Sequence, residues 1–181
     1  MYKQLGLVAI LAMWAGTYVL LKNHSLDRGK TISKHASKTV RYHITFAVLE
    51  VIVVSIFSLF IFGWFIPTFE LGNGYRVAAI VGFIGTVAAA FIPDRGGWQS
   101  KFHGLGAYGM AMSLLAMNLF LVMSNKINIL TLIILYVSLA YMIIGTLVAI
   151  IWTPFFRKNA LKLQVIFFLA FHIPLLLAVY S

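Results

Sequence analysis

The residues of this chain that are able to do acid–base chemistry are few, and two of them flank one short loop. Asp94 closes one apolar segment, and His103 opens the next one nine residues later. Glu50 lies inside a third apolar segment, where a carboxyl group must be neutral, paired or exposed to a wet cavity. An imidazole that a carboxylate orients is able to act as a general base. These residues predict a polar pocket and, if the protein is an enzyme, a catalytic group of His103, Asp94 and Glu50.

Two further residues extend the predicted pocket toward a ligand. Arg95 directly follows Asp94 in a glycine-containing loop, where its guanidinium group is suited to a lipid phosphate. His43 precedes Glu50 by seven residues, which places both on nearly the same face of a helix, about 10 Å apart along its axis. The predicted ligand-binding group is therefore Glu50, Asp94, Arg95, His103 and His43.

Each member of this group also has a purely structural interpretation. Asp94 suits a turn after Pro93, and His103 suits a position at the level of the lipid headgroups. His43 follows Arg41 and Tyr42, which is typical of the membrane interface. Glu50 is the hardest to assign to structure alone, because it lies farthest from either end of its apolar segment.

Metal and cofactor chemistry have little support in the pattern. Glu50, Asp94 and His103 offer three metal ligands, but the chain contains no local ligand pair such as HExxH. The chain has no cysteine for an iron–sulfur cluster, no lysine within an apolar segment for retinal, and no two pairs of histidines for haem. We predict no metal and no cofactor.

The composition is that of an integral membrane protein. The chain is 62% hydrophobic and 10% charged over 181 residues, with a mean hydropathy of +0.97. A soluble domain of this length needs much more polar surface. The apolar segments do not alternate with polar residues as barrel strands do, so helices are predicted.

The apolar segments define the predicted architecture. At about 20 residues per membrane crossing, the chain accommodates six helices with short loops. We predict an all-α fold in which residues 1–181 form a single domain, a polytopic bundle of six transmembrane helices. The predicted spans cover about residues 5–21, 43–67, 75–92, 100–123, 127–152 and 163–180.

Three local features refine this prediction. Ser100 is a natural N-cap for the fourth span. The polar segment 22–41 is interpreted as a solvated loop, although its composition also allows a short interfacial helix. Small residues recur at helical spacing in the third span and predict close packing against another helix. They are Ala78, Gly82, Gly85 and Ala89.

The distribution of basic residues predicts the orientation and the partners. Eleven of the 14 Lys and Arg residues fall in the first, third and fifth connections, and three fall on the opposite side. Basic loops favour the cytoplasm, so both termini are predicted outside the cell membrane. The formal charge of +10 lies in short loops rather than in a basic domain. The predicted partner is therefore membrane lipid and not nucleic acid, while the pattern specifies no oligomeric state.

The loop that carries Asp94 also carries a family resemblance. Residues 91–97, FIPDRGG, followed by residues 103–107, HGLGA, resemble the signature of an uncharacterised family of prokaryotic six-span membrane proteins near the Frag/DRAM/Sfk group. This chain differs from that signature in having Ile92 before Pro93 and Asp94 directly after it. The resemblance implies a six-span fold and a role for Asp94 and His103. Through a related eukaryotic group linked to lipid remodelling, it also implies a lipid role.

These observations favour one function and leave two alternatives open. The favoured function is binding of a lipid or another amphiphile in a polar pocket that faces the cytoplasm. The first alternative is an intramembrane lipid-modifying enzyme with His103 as general base, oriented by Asp94 or Glu50. The second is a small proton-coupled transporter in which Glu50 exchanges the proton.

Overall fold

The structure of the protein, a computed structural model, describes residues 2–22 and 27–180. Within these residues, six helices are long and apolar enough to cross a membrane, which confirms the predicted all-α, six-span architecture. The spans are α1 (Tyr2–Lys22), α3 to α4 (Val40–Thr68), α5 (Asn73–Phe91), α6 (Gly97–Val122), α7 (Ile129–Ile151) and α8 (Thr153–Tyr180). A short helix α2 (Ile32–Ala36) precedes the second span.

The second span changes its winding near its end. Helix α3 (Val40–Phe60) continues through a π-helical turn (Ile61–Phe65) into the single turn α4 (Ile66–Thr68). Three rings of this turn region, those of Phe60, Phe65 and Phe69, lie buried in the core. The π-helical turn therefore lies within the aromatic part of the core.

The spans form a ring in which each helix packs on its neighbours in the chain. Helix α1 packs on α3, α3 on α5, α5 on α6, α6 on α7, α7 on α8, and α8 closes the ring against α1. The α1–α8 and α6–α8 contacts are sparse compared with those between α5 and α6. Consequently the ring encloses a space between α1, α3, α5, α6 and α8.

Hydrogen bonds tie the connections together at both ends of the bundle. At one end, which we call the basic end, the Ile32 amide donates to Gln164 Oε1, and the Leu161 amide donates to the Arg28 carbonyl. At the opposite end, Tyr180 donates to Gln4 Oε1 at 2.8 Å. The first and fifth connections, which the distribution of basic residues places on one side, therefore lie together.

Three predicted details differ in the structure. The segment interpreted as a loop contains α2, which Thr31 caps by accepting a hydrogen bond from the Lys34 amide, and which buries Ile32. Helix α6 begins at Gly97, so the predicted N-cap at Ser100 is wrong. The last helix begins at Thr153 rather than near residue 163, with non-helical backbone angles at Asn159. In the first case, contacts with other elements decided the outcome. In the second case, the Ser100 hydroxyl bonds to Asp94 and to the Gly96 amide instead of capping the helix.

The predicted packing of the small-residue stripe on another helix is confirmed. A Cβ atom at Gly85 would lie 2.7 Å from both the Gly106 carbonyl oxygen and the Met110 nitrogen. A Cβ atom at Gly82 would lie 3.2 Å from Ser113 Cβ. Glycine therefore allows the backbones of α5 and α6 to approach closely, as small residues do between membrane helices.

Candidate functional site

The space inside the ring is a cavity of about 110 Å³ that is partly open to the surroundings. Its walls come from α1, α2, α3, α5, α6 and α8, with no contribution from α7. Along α3 it extends from Phe46 to Phe57, which is about 16 Å at 1.5 Å per residue. A cavity of this volume matches a slender apolar group, since an engineered cavity of ~150 Å³ holds benzene.

The cavity wall is polarised along the bundle. Apart from His172, the wall toward the opposite end is made of apolar side chains: Ile10, Phe57, Leu114, Met117 and Phe171. Polar side chains line the half nearer the basic end: Thr17, Ser33, Glu50, Thr86, His103 and Gln164. The cavity thus has one apolar half and one half that offers hydrogen bonds.

Glu50 lies on the wall of this cavity without a partner. It is ten residues into α3, about 15 Å from the start of that helix, and its side chain is 8% exposed. Among the described residues, no side chain or backbone group forms a hydrogen bond or an ion pair with its carboxyl group. A buried polar group in this situation calls for a partner from a ligand or from water.

His103 lines the same cavity and is held from both sides. Its Nδ1 atom is 2.8 Å from the Ile92 carbonyl oxygen, and its Nε2 atom is 2.9 Å from Ser33 Oγ. A carbonyl oxygen only accepts hydrogen bonds, so the proton of a neutral imidazole lies on Nδ1. The Nε2 atom is then the acceptor, and the Ser33 hydroxyl donates to it. His103 is 5% exposed, so its imidazole is shielded from bulk solvent.

Asp94 does not line the cavity. Its carboxylate accepts a hydrogen bond from the Ser100 hydroxyl, and its Oδ2 atom lies 3.6 Å from Lys34 Nζ. The Ser100 hydroxyl also accepts from the Gly96 amide at 2.9 Å. Asp94 therefore stabilises the turn between α5 and α6. The predicted common cavity of Glu50, Asp94 and His103 is correct for Glu50 and His103 and wrong for Asp94.

Arg95 and His43 also serve connections rather than the cavity. Arg95 Nε donates to the Ser37 carbonyl at 3.3 Å, and the Asp94 amide donates to Ser37 Oγ at 3.2 Å. These bonds attach the α5–α6 loop to the residue that follows α2. His43 Nε2 lies 3.1 Å from the Phe91 carbonyl oxygen, so His43 donates to the last residue of α5. Of the five predicted ligand-binding residues, two face the cavity.

The loop between α5 and α6 requires glycine. Gly96 and Gly97 have φ values of +101° and +59°, in a region that residues with a side chain seldom adopt. Their backbone reverses the chain directly after Asp94 and Arg95. The short reversal brings His103 back beneath Ile92, which positions the imidazole against that carbonyl group.

His172 completes the cavity wall from α8. The rings of Trp14, Phe57, Phe168 and Phe171 surround its imidazole, with centroids 5.2 to 6.5 Å away. Within residues 2–22 and 27–180 His172 makes no hydrogen bond to another helix, because aromatic rings occupy the positions around it.

A second recess, which we call the basic cleft, opens outside the cavity at the basic end. It has a volume of about 600 Å³ and is lined by Asp27, Gly29, Lys30, Lys34, Lys38, Asp94 and Arg157. Lys30 Nζ donates to Asp27 at 3.0 Å and holds the pKa of that carboxyl group below its usual range. Four basic side chains face two carboxylates here, so the cleft carries an excess of positive charge.

Ser33 is the residue at this site that sequence reasoning missed. It is separated from His103 by 70 residues and belongs to a segment interpreted as a loop. No local motif links the two residues. Only the docking of α2 over the basic end of the bundle brings them together.

The three side chains that the sequence provides as possible metal ligands, Glu50, Asp94 and His103, do not lie together. In the part of the chain that the structure describes, no three His, Asp or Glu side chains lie close enough to hold a metal ion. Glu50 and His103 line the cavity, whereas Asp94 lines the basic cleft.

Comparisons with known proteins add no relative. Models of protein families, curated proteins and solved structures give no match to this chain. The family resemblance of the α5–α6 loop therefore stays a prediction, and the site geometry is the basis for any functional assignment.

Proposed function

We propose that this membrane protein binds an amphiphile, a lipid or a molecule of similar build, in the cavity between its helices. The observation that carries the proposal is the unpaired carboxyl group of Glu50 on the wall of a polarised cavity. A binding site of this kind typically has apolar walls and a few polar groups that orient the ligand. The ligand supplies the hydrogen-bonding partner that the protein withholds from Glu50.

The polarity of the cavity defines how the amphiphile lies. Its apolar chain runs between Phe57, Met117 and Phe171, and its polar group lies between Glu50 and His103. The cavity holds one segment of chain rather than a whole lipid, so the remainder of the molecule extends out of the bundle. At the basic end, the excess positive charge of the basic cleft favours an anionic headgroup.

Filling the cavity tests this proposal. Ala107 lines the cavity from α6, and Ala107→Phe places a ring in the space meant for the ligand. We expect photo-crosslinking to a phosphatidylglycerol that carries a diazirine in its acyl chain to fall about tenfold or more, the equivalent of 1.4 kcal/mol of binding. Peptide mass spectrometry of the wild-type protein should locate the adducts on the cavity wall.

The matched control is Ala140→Phe, which makes the same change on an exposed position of α7, outside the cavity. Crosslinking should be unchanged in this variant. Adducts spread over the outer faces of the bundle, and equal yields from Ala107→Phe and wild type, would refute binding in the cavity.

We further propose that the basic end faces the cytoplasm and that both termini face outward, because eleven basic residues lie at that end against three at the other. The chain has no cysteine, so single-cysteine variants need no background correction. Lys101→Cys and Asn125→Cys lie exposed at opposite ends of α6 and the turn after it. In intact cells, a membrane-impermeant maleimide should label Cys at 125 and reach Cys at 101 only after permeabilisation. The reverse pattern would overturn the orientation.

A further inference from the structure

The contact between Ser33 and His103 has the geometry of a nucleophile and its base. Ser33 Oγ lies 2.9 Å from His103 Nε2, within the range in which a general base takes a hydroxyl proton. The third group of such an arrangement orients the base, and here the Ile92 carbonyl does so by accepting from Nδ1 at 2.8 Å. This leaves Nε2 as the acceptor that faces the serine.

The serine hydroxyl is itself held in one direction. Thr31 Oγ1 lies 3.0 Å from Ser33 Oγ. Because the Ser33 proton points to His103, the Thr31 hydroxyl is the donor in this second bond. Ser33 is half-buried and lines the cavity beside His103.

The segment that carries α2 has contacts with the bundle besides this pair. The Ile32 amide already bonds to Gln164, Ser37 bonds to Asp94 and Arg95, and Lys34 pairs with Asp94. The Ser33–His103 bond differs from these contacts because both of its side chains face the cavity. A polar pair in this position meets the polar group of a bound amphiphile.

We infer that Ser33 is a nucleophile and His103 its general base, and that their substrate is an amphiphile with an acyl ester. This inference rests on the proposed function, because the cavity must first bind the amphiphile. Ser33 Oγ attacks the ester carbonyl carbon while its proton moves to His103 Nε2. The bond from that carbon to the alcohol oxygen breaks, and the alcohol leaves with the proton from Nε2.

The second half of the reaction regenerates the free Ser33 hydroxyl. The acyl group is now an ester of Ser33, and a water molecule attacks its carbonyl carbon while giving a proton to His103 Nε2. The bond to Ser33 Oγ breaks, Ser33 recovers its proton from Nε2, and a carboxylic acid leaves. Water is the co-substrate, and the net reaction is hydrolysis of the ester to an alcohol and an acid.

A long-chain alkyl fluorophosphonate tests the inference on the full-length protein in detergent. Its alkyl chain enters the apolar half of the cavity, and the Ser33 oxygen displaces fluoride from phosphorus. We expect one adduct, located at Ser33 by peptide mass spectrometry, and none at this position in Ser33→Ala. In His103→Gln, the rate of labelling should fall about 100-fold or more, as expected on loss of a general base.

Ser55→Ala is the control, because Ser55 is an exposed serine of α3 outside the cavity, and its hydroxyl donates to the Val51 carbonyl of its own helix. Its labelling rate should equal that of the wild type. Absence of a Ser33 adduct in the wild-type protein, or equal rates in wild type and a folded His103→Gln variant, would overturn the inference. If His103→Gln does not fold, the presence or absence of the Ser33 adduct in the wild type decides.

Crosslinking to the diazirine lipid in the same preparation separates the two proposals. Cavity adducts without a Ser33 phosphonyl adduct refute the nucleophile and leave amphiphile binding in place. Absence of both refutes amphiphile binding as well.

Discussion

Glu50→Leu is expected to stabilise the protein while it weakens amphiphile binding. The carboxyl group has no partner among the described residues, and a buried polar group without a partner costs on the order of 1–3 kcal/mol. Leucine removes that cost, because it has no polar group to be satisfied. Each 1 kcal/mol corresponds to roughly 2–4 °C in Tm for a chain of this length, so a thermal shift in detergent detects the gain.

In the same variant, crosslinking to the diazirine lipid should fall about tenfold, because the polar group of the ligand loses its partner. A higher Tm together with weaker lipid binding would indicate that Glu50 serves ligand binding rather than the stability of the fold. Glu50→Gln is the companion variant, since it keeps the size and the hydrogen-bonding capacity and removes the titratable group. If Glu50→Leu lowers the Tm, Glu50 has a structural role that the geometry does not show.

Gly85→Ala is expected to disrupt the packing of α5 on α6. The added Cβ atom would lie 2.7 Å from two backbone atoms of α6, which have no rotamer by which to move away. The two helices must separate, at a cost of about 1–3 kcal/mol or more. The same hairpin positions His103 against Ile92, so lipid crosslinking should fall as well. Size-exclusion chromatography after a heating series would record the loss of folded protein.

Gly104→Ala serves as the control within the same hairpin. A Cβ atom at Gly104 meets nothing within 4 Å, so the change has no steric cost. Alanine is the better helix former by about 0.5–1 kcal/mol, and the variant should be as stable as the wild type or slightly more stable. Equal damage from both substitutions would show that close approach of α5 and α6 is not the reason for glycine at position 85.

The amino-acid sequence by itself determined the class and the span pattern of this protein. Long apolar segments must satisfy their own backbone hydrogen bonds in lipid, and only helices do so within one segment. The spacing of Ala78, Gly82, Gly85 and Ala89 likewise predicted a close helix contact, because a stripe of small residues depends on helical periodicity alone. Glu50 stood out for a similar reason, since a carboxyl group far inside an apolar segment is costly in any arrangement.

Only the tertiary structure decided which polar residues meet. Asp94 and Arg95 lie close to His103 in the chain, yet their side chains contact Ser100, Lys34 and Ser37 outside the cavity. Ser33 is far from His103 in sequence and reaches it because α2 folds over the basic end of the bundle. Local periodicity specifies the face of each helix, whereas contacts between distant segments depend on how the helices pack and how the connections dock. The cavity, its polarity and the Ser33–His103 pair all depend on such contacts between distant segments.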